Sequence, residues 1–126
     1  MKRTYRVYQE WHEHEVVLEA DHDVLTPELA TLINQFWSDD DERLDVYDGD
    51  PVKAVIHFAG TCLINQMLCE GGADFDKSND TMSTYWTGWL THQEGWPPAD
   101  QLGIRCVAAE VTTPRFDDLS MDEIAA

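Results

Sequence analysis

Positive charge is what this sequence has least of. Only 8 Lys and Arg stand against 25 Asp and Glu, and with its 5 His neutral the 126-residue chain carries a formal charge of −17. Such a chain repels phosphate backbones, anionic membrane surfaces and acidic substrates, which argues against direct nucleic-acid or membrane binding. It attracts basic surfaces over a range that salt sets. Cysteine is scarce too. Cys62, Cys69 and Cys106 are odd in number, widely spaced and without a CxxC, so neither a disulfide framework nor a zinc ribbon is expected. GxSxG, HExxH and a phosphate-cradling glycine loop are all missing, so the sequence assigns no enzyme, catalytic residue, metal or cofactor. Long apolar runs are missing as well: Val52 to Cys69 is interrupted by Lys53, His57, Asn65 and Gln66, and MKRTYRVYQEW lacks the apolar centre of a signal peptide. A soluble, cytoplasmic protein is expected.

What is present suffices to fold. Apolar residues make up 43% and include five Trp, enough to offset the entropy of ordering. The length predicts one α+β domain over residues 1–114, followed by an acidic tail, 115–126, that is frayed or docked on a partner. Ser120 and Glu123 have capping-box spacing, but the tail is too short for an isolated helix.

Thr4 to Trp11 alternates, with Tyr5, Val7 and Trp11 on one face, and His14 to Ala20 places Val16, Leu18 and Ala20 on another. This is the two-residue period of strands, and it predicts a hairpin turning near Trp11 to Glu13. Thr26-Pro27-Glu28 supplies an N-cap, a proline at the first helical position and an acid at the positive end of the dipole. Leu29, Leu32, Ile33, Phe36 and Trp37 then form one apolar stripe expected to face a core.

Residues 38–50, SDDDERLDVYDGD, read as an exposed acidic loop. Asp50-Pro51 starts a second helix that ends at Gly71-Gly72, apolar except for a strip of Lys53, His57, Gly60, Thr61 and Asn65. Met82, Tyr85, Trp86, Trp89 and Leu90 predict a third helix from Thr81 to about His92, although Thr84 to Thr87 have equal strand propensity. From Gly103 to Thr112 a third strand sets Ile104, Cys106 and Ala108 against Arg105, Val107 and Ala109. The order β-β-α-α-α-β implies a small antiparallel sheet covered on one face by helices.

The candidate sites are mostly outweighed by plainer explanations. His12, His14 and His22 with Asp21 and Asp23 are metal-ligand types, but their spacing completes no site, and surface histidines are the better reading. Asp74-x-Asp76-x-Ser78 opens like a calcium loop, yet Asn79 and Tyr85 stand where Gly and Glu are required. Asp45, Asp48 and Asp50 around Gly49 suit a solvated loop that caps the next helix better than an ion site. Cys62 and Cys69, seven apart on an apolar helix, are placed as small core residues rather than as nucleophiles paired with His57. The aromatics of the third helix read as core, with an interface patch as the rival.

The distribution of acid remains. Glu13, Glu15 and Glu19 share a strand face at steps of roughly 6.6–6.8 Å, of the order of the phosphate step along a nucleic-acid strand. Asp39, Asp40, Asp41, Glu42, Asp45 and Asp48 form a denser patch. Such an array is suited to occupy a basic channel and displace nucleic acid; a merely solvated acidic surface is the alternative.

At VVLEADHDVLTPELATLINQFWSDDDERL, followed by EGWP and LGIR, the chain resembles an uncharacterised family of short proteins from bacteriophages and bacterial mobile elements. The resemblance covers most of residues 1–112, and Asn34-Gln35-Phe36-Trp37 is its most recognisable part. It carries over no catalytic residue. It implies a setting in which small acidic phage proteins act against host defences, as CRISPR-effector inhibitors and DNA mimics do. The leading expectation is a non-enzymatic inhibitor that occupies a Lys/Arg-rich surface of a host nucleic-acid-handling complex, a CRISPR effector first among them. Its contact residues would be Asp39, Asp40, Asp41, Glu42, Asp45 and Asp48, then Glu13, Glu15 and Glu19. A homodimeric phage assembly protein and a small metal-dependent or thiol enzyme are the rivals.

Overall fold

The computed structural model describes residues 1–12 and 14–125, with only the backbone at His12. Its described elements run β1 (Lys2–Gln9), β2 (His14–Asp21), α1 (Pro27–Phe36), α2 (Asp40–Val46), α3 (Pro51–Cys69), β3 (Gly72–Phe75), α4 (Asp80–Thr91), α5 (Ala99–Leu102) and β4 (Ile104–Thr112). The four strands form one antiparallel sheet in the order β1-β2-β4-β3. This is the expected α+β class, with more elements than the sequence reading gave.

The hairpin has the register Lys2↔Asp21 to Gln9↔His14. Alternation buries Val16, Leu18 and Ala20 beneath the helices, with Tyr5 and Val7 packed beside them. Trp11 departs from expectation: β1 stops at Gln9, a 3₁₀ turn spans Glu10–His12, and the Trp11 side chain is 94% exposed. On β4 the anticipated phase also breaks. Val17 faces Ala108 while Leu18 faces Cys106, so Val107 is a bulge, and the inner face continues through Ala109 and Val111 instead of Ala108.

Both proline-led helices start where expected. The Thr26 hydroxyl accepts from Leu29 N–H, and the Asp50 carboxylate accepts from Val52 and Lys53 N–H. On α1 the buried positions are Ala30, Ile33 and Asn34, while Leu32 and Phe36 are 68% and 51% exposed. The stripe is thus rotated toward a buried polar residue, which an apolar count cannot register. α3 crosses the inner face and touches all four strands, burying Val52, Val55, Ile56, Ala59, Leu63 and Met67. Gly60 is not part of a solvated strip. A Cβ there would lie 2.5 Å from Val7 Cβ, so glycine allows helix and sheet to meet.

Residues 38–50 are not a loop throughout, since α2 occupies 40–46. It buries none of its own residues, which is why no apolar stripe announced it. β3 was missed too. Gly71-Gly72 ends α3 but also opens this short strand, Gly72 at φ +104° lying against the Val111 carbonyl. Because β3 reaches only Ala109 to Thr112, the rest of β4's edge is covered by α4. There Thr87 Oγ1 accepts from Cys106 N–H at 2.9 Å, and Ser83 Oγ donates to Cys106 C=O at 2.6 Å. These hydroxyls supply what a neighbouring strand would.

Candidate functional site: an acidic platform on α2

Asp39, Asp41, Glu42, Asp45 and Asp48 are exposed and Asp40 half-buried along α2 and its flanks. None of the six forms an ion pair among the described residues. On a helix rising 1.5 Å per residue, Asp41 and Asp45 stand about 6 Å apart along the axis. The run of acid in the sequence therefore becomes a compact surface.

The one base in the segment builds the platform. Arg43 turns inward and donates through Nε to Asn34 Oδ1 (2.7 Å), through Nη1 to the Ser38 carbonyl (2.6 Å), and through Nη2 to the carbonyls of Asn34 (2.9 Å) and Trp37 (3.1 Å). These carbonyls lie at the C-terminus of α1, where a cation is favoured. The guanidinium also lies 4.5 Å from the centre of the Phe58 ring. Asn34, 2% exposed, donates from Nδ2 to the Asp40 carbonyl, closing a network that fixes α2 on α1 and α3. Sequence reasoning missed Arg43 and Asn34. A lone Arg amid seven acids, nine residues after a polar side chain on an apolar helix, was the available signal.

Between α2 and α3 lies a pocket of about 350 Å³. Ala54, Phe58, Val46 and Tyr47 give it an apolar lining, Asp39 and Glu42 add acid, Arg43 adds its own cation, and Tyr47 Oη meets His57 Nδ1 at 2.8 Å.

The strand acids are elsewhere. Glu15 and Glu19 lie on the outer face of the sheet, away from α2, which packs on α3 against the inner face. Arg6 Nε is 2.9 Å from Glu15, and Lys2 Nζ is 3.8 Å from Glu19. The structure thus does not bring the two predicted acid sets together. Glu13 lies outside the described residues.

Across the outer face, Glu15 opposes Glu110, and Glu110 opposes Asp74. With Asp76 they line a groove of about 540 Å³. Asp76 accepts from Ser78 Oγ and N–H, which holds its carboxyl below the usual range. That turn leads into the Asn79 cap of α4, so Asp74-x-Asp76-x-Ser78 carries the chain from the end of β3 into a helix.

The remaining candidates do not converge. His14 opens β2 and His22 follows its last residue, eight residues apart, about 26 Å along an extended strand, and His22 Nε2 meets Tyr5 Oη at 2.8 Å. Among the described residues no three His, Cys, Asp or Glu gather as metal ligands would. Burial pushes the Cys62 thiol up to about 11 and that of Cys106 to about 12, making both poor nucleophiles at neutral pH. Trp86, Leu90 and Trp96 are core, whereas Tyr85 is 51% exposed and donates to Glu70. α3 alone among the described helices has the length and apolarity to cross a membrane, and 44% of it is buried, packed against the sheet and α1.

Comparison with known proteins supplies kinship. Over 125 residues, 98% of this chain and 97% of each relative, it is 31% identical to protein ea10 of Escherichia phage lambda and to the lambda prophage-derived protein ea10 of Escherichia coli O6:H1 (strain CFT073). No solved structure matches it. The phage setting implied by the resemblance is thereby supported. The family model described as protein of unknown function (DUF2528) matches residues 15–121, and the chain belongs to that family.

Proposed function

We propose that the chain is a non-enzymatic binding protein whose α2 platform engages a Lys/Arg-rich surface on a host protein complex. The observation that carries this reading is the fixation of α2. Five exposed carboxylates, unpaired within the described residues, sit on and beside a short helix held by Arg43 next to an apolar-lined pocket. A held array loses less entropy on binding than a mobile acidic loop. Charge complementarity then speeds encounter with a basic partner and excludes acidic ones.

The phage and prophage kinship supports a target inside the host bacterial cytoplasm. Basic channels of nucleic-acid-handling defence complexes, CRISPR effectors included, present the fitting chemistry, and the protein would occupy such a surface in place of nucleic acid. The sheet acids contribute less in this reading, because Lys2 and Arg6 already oppose Glu19 and Glu15.

The test is affinity capture from nuclease-treated bacterial lysate, comparing the native chain with one carrying Asp41→Lys, Glu42→Lys, Asp45→Lys and Asp48→Lys. The native chain should retain a nucleic-acid-binding complex that added DNA or high salt releases, and the variant should not. Equal capture by both would reject the platform.

A further inference from the structure

Independently of that reading, we infer that the C-terminal segment Phe116–Glu123 of one copy adds as a fifth strand to the open edge of β1 in a second copy, forming a tail-exchanged dimer. β1 is an eight-residue edge strand hydrogen-bonded on one side only, to β2. Edges of that length are templates for another strand unless something covers them.

The tail has the composition of an unplaced strand. Phe116, Leu119, Met121 and Ile124 are 93%, 66%, 94% and 89% exposed, with Asp117, Asp118, Asp122 and Glu123 among them. Its single 3₁₀ turn, Phe116–Asp118, rests on Asp118 N–H to Arg115 C=O, Leu119 N–H to Phe116 C=O and Arg115 N–H to the Asp118 carboxylate. A strand ladder would replace these bonds.

One register pairs the charges of the two segments. The outer face of β1 presents Lys2, Thr4 and Arg6 at alternate positions, so two of the chain's 8 Lys and Arg lie on this face of one edge strand. One face of the tail as a strand presents Asp118, Ser120 and Asp122 at the same spacing. With Thr4 opposite Ser120 in the antiparallel sense used throughout this sheet, Lys2 meets Asp122 and Arg6 meets Asp118. On the inner face Tyr5 then meets Leu119, with Arg3 beside Met121 and Val7 beside Asp117, and at the end of the strand Tyr8 meets Phe116. A one-residue slip would set both cations against the other face of the tail. Lys2 and Arg6 already lean on Glu19 and Glu15, so each would lie between two carboxylates rather than leave one.

Chain length assigns the tail to a second copy. Tyr8, Glu15 and Glu110 share a level of the sheet, two residues before Thr112. From Thr112, a place opposite Tyr8 on the same chain's β1 edge is about 16 Å away, three strand spacings across and two residues back. The four steps to Phe116 reach at most about 14 Å, with the hairpin turn in the path.

The test uses full-length chains with Cys69→Ser to remove the exposed thiol. A Thr4→Cys chain mixed with a Ser120→Cys chain should form a disulfide-linked heterodimer under mild oxidation. Tyr8→Cys should link to Phe116→Cys and not to Ile124→Cys. By light scattering across concentration the native chain should dimerise, and Asp118→Arg with Asp122→Lys should raise the dissociation constant about tenfold or more. Because these tail side chains are exposed, their loss leaves the fold intact. A monomer at every concentration, a dimer indifferent to the tail variants, or no Thr4–Ser120 link between the mixed chains would overturn the exchange.

Discussion

Replacing Arg43 with Met should cost this protein more stability than removing any other basic side chain. The fork makes four hydrogen bonds, to the Asn34 side chain and the carbonyls of Asn34, Trp37 and Ser38, while stacking on Phe58. Each bond involving a charged group is worth roughly 1.5–3 kcal/mol in isolation, but the four share one side chain and do not add. Truncation also leaves polar groups behind without partners. An unpaired buried Asn34 Oδ1 costs about 1–3 kcal/mol. The lost charge at the end of α1 costs about 0.3–1 kcal/mol, and the lost cation–π contact about 0.5–1 kcal/mol.

Together these give a loss of about 3 kcal/mol, which for a chain of this size lowers Tm by roughly 10–15 °C. Arg43→Lys retains the charge without the fork and should recover less than half of the loss. Urea unfolding followed by circular dichroism supplies the free energies, and a double-mutant cycle with Asn34→Ala tests the network. Coupling of at least about 1 kcal/mol is expected. A loss below about 1 kcal/mol for Arg43→Met, or additivity with Asn34→Ala, would refute the idea that this arginine fastens α2.

Two further predictions concern titration. Glu70 accepts from Gln66 and from the Tyr85 hydroxyl, which hold its carboxyl below the usual range, while the same bond raises the Tyr85 phenol. Its folded pKa being the lower one, its stabilising effect is present above the unfolded value and lost as pH falls through the folded value. Tyr85→Phe should move the Glu70 titration upward in carboxyl NMR, and an unmoved titration would mean that this hydrogen bond is not formed. At pH 8 a thiol held near 11 or 12, as at Cys62 and Cys106, is almost wholly protonated, whereas Cys69 is exposed. A thiol-specific disulfide reagent should therefore titrate one cysteine per native chain quickly and three only after denaturation; a fast reaction at Cys62 or Cys106 would revive the thiol-enzyme alternative.

Local chemistry was legible wherever it was written in neighbouring residues. Thr26-Pro27 and Asp50-Pro51 marked helix starts because a cap and its N–H partners lie within three residues. Val16, Leu18 and Ala20 marked a buried strand face because alternation maps directly onto the pleat. What escaped depends on distant partners. α2 has no buried stripe, and its attachment runs through backbone carbonyls of another helix. β3 has four residues and exists because β4 is beside it. The bulge at Val107 reverses the phase of β4 in a way that composition does not show. The site was legible in its acids and illegible in its scaffold: the patch at residues 39–48 could be read, Arg43 and Asn34 could not.

The excess of acid divides by engagement. Asp50 caps α3, Asp21 and Asp23 face the N-terminal ammonium, Glu15 and Glu19 face bases of β1, and Asp80 faces Arg105. Those carboxylates are occupied in holding the fold. The α2 acids and the interleaved acids of residues 117–123 are the two sets concentrated in sequence yet engaged with no base among the described residues. They differ in support. The α2 set is held on the core beside an apolar-lined pocket, as a surface that meets an external partner should be. The tail set lies among exposed apolar side chains, and its Asp118 and Asp122 match the spacing of Lys2 and Arg6 on β1, as a segment that completes its own kind should. A uniformly solvating acidic surface would predict neither the inward clamp at Arg43 nor the match between Lys2-x-Thr4-x-Arg6 and Asp118-x-Ser120-x-Asp122.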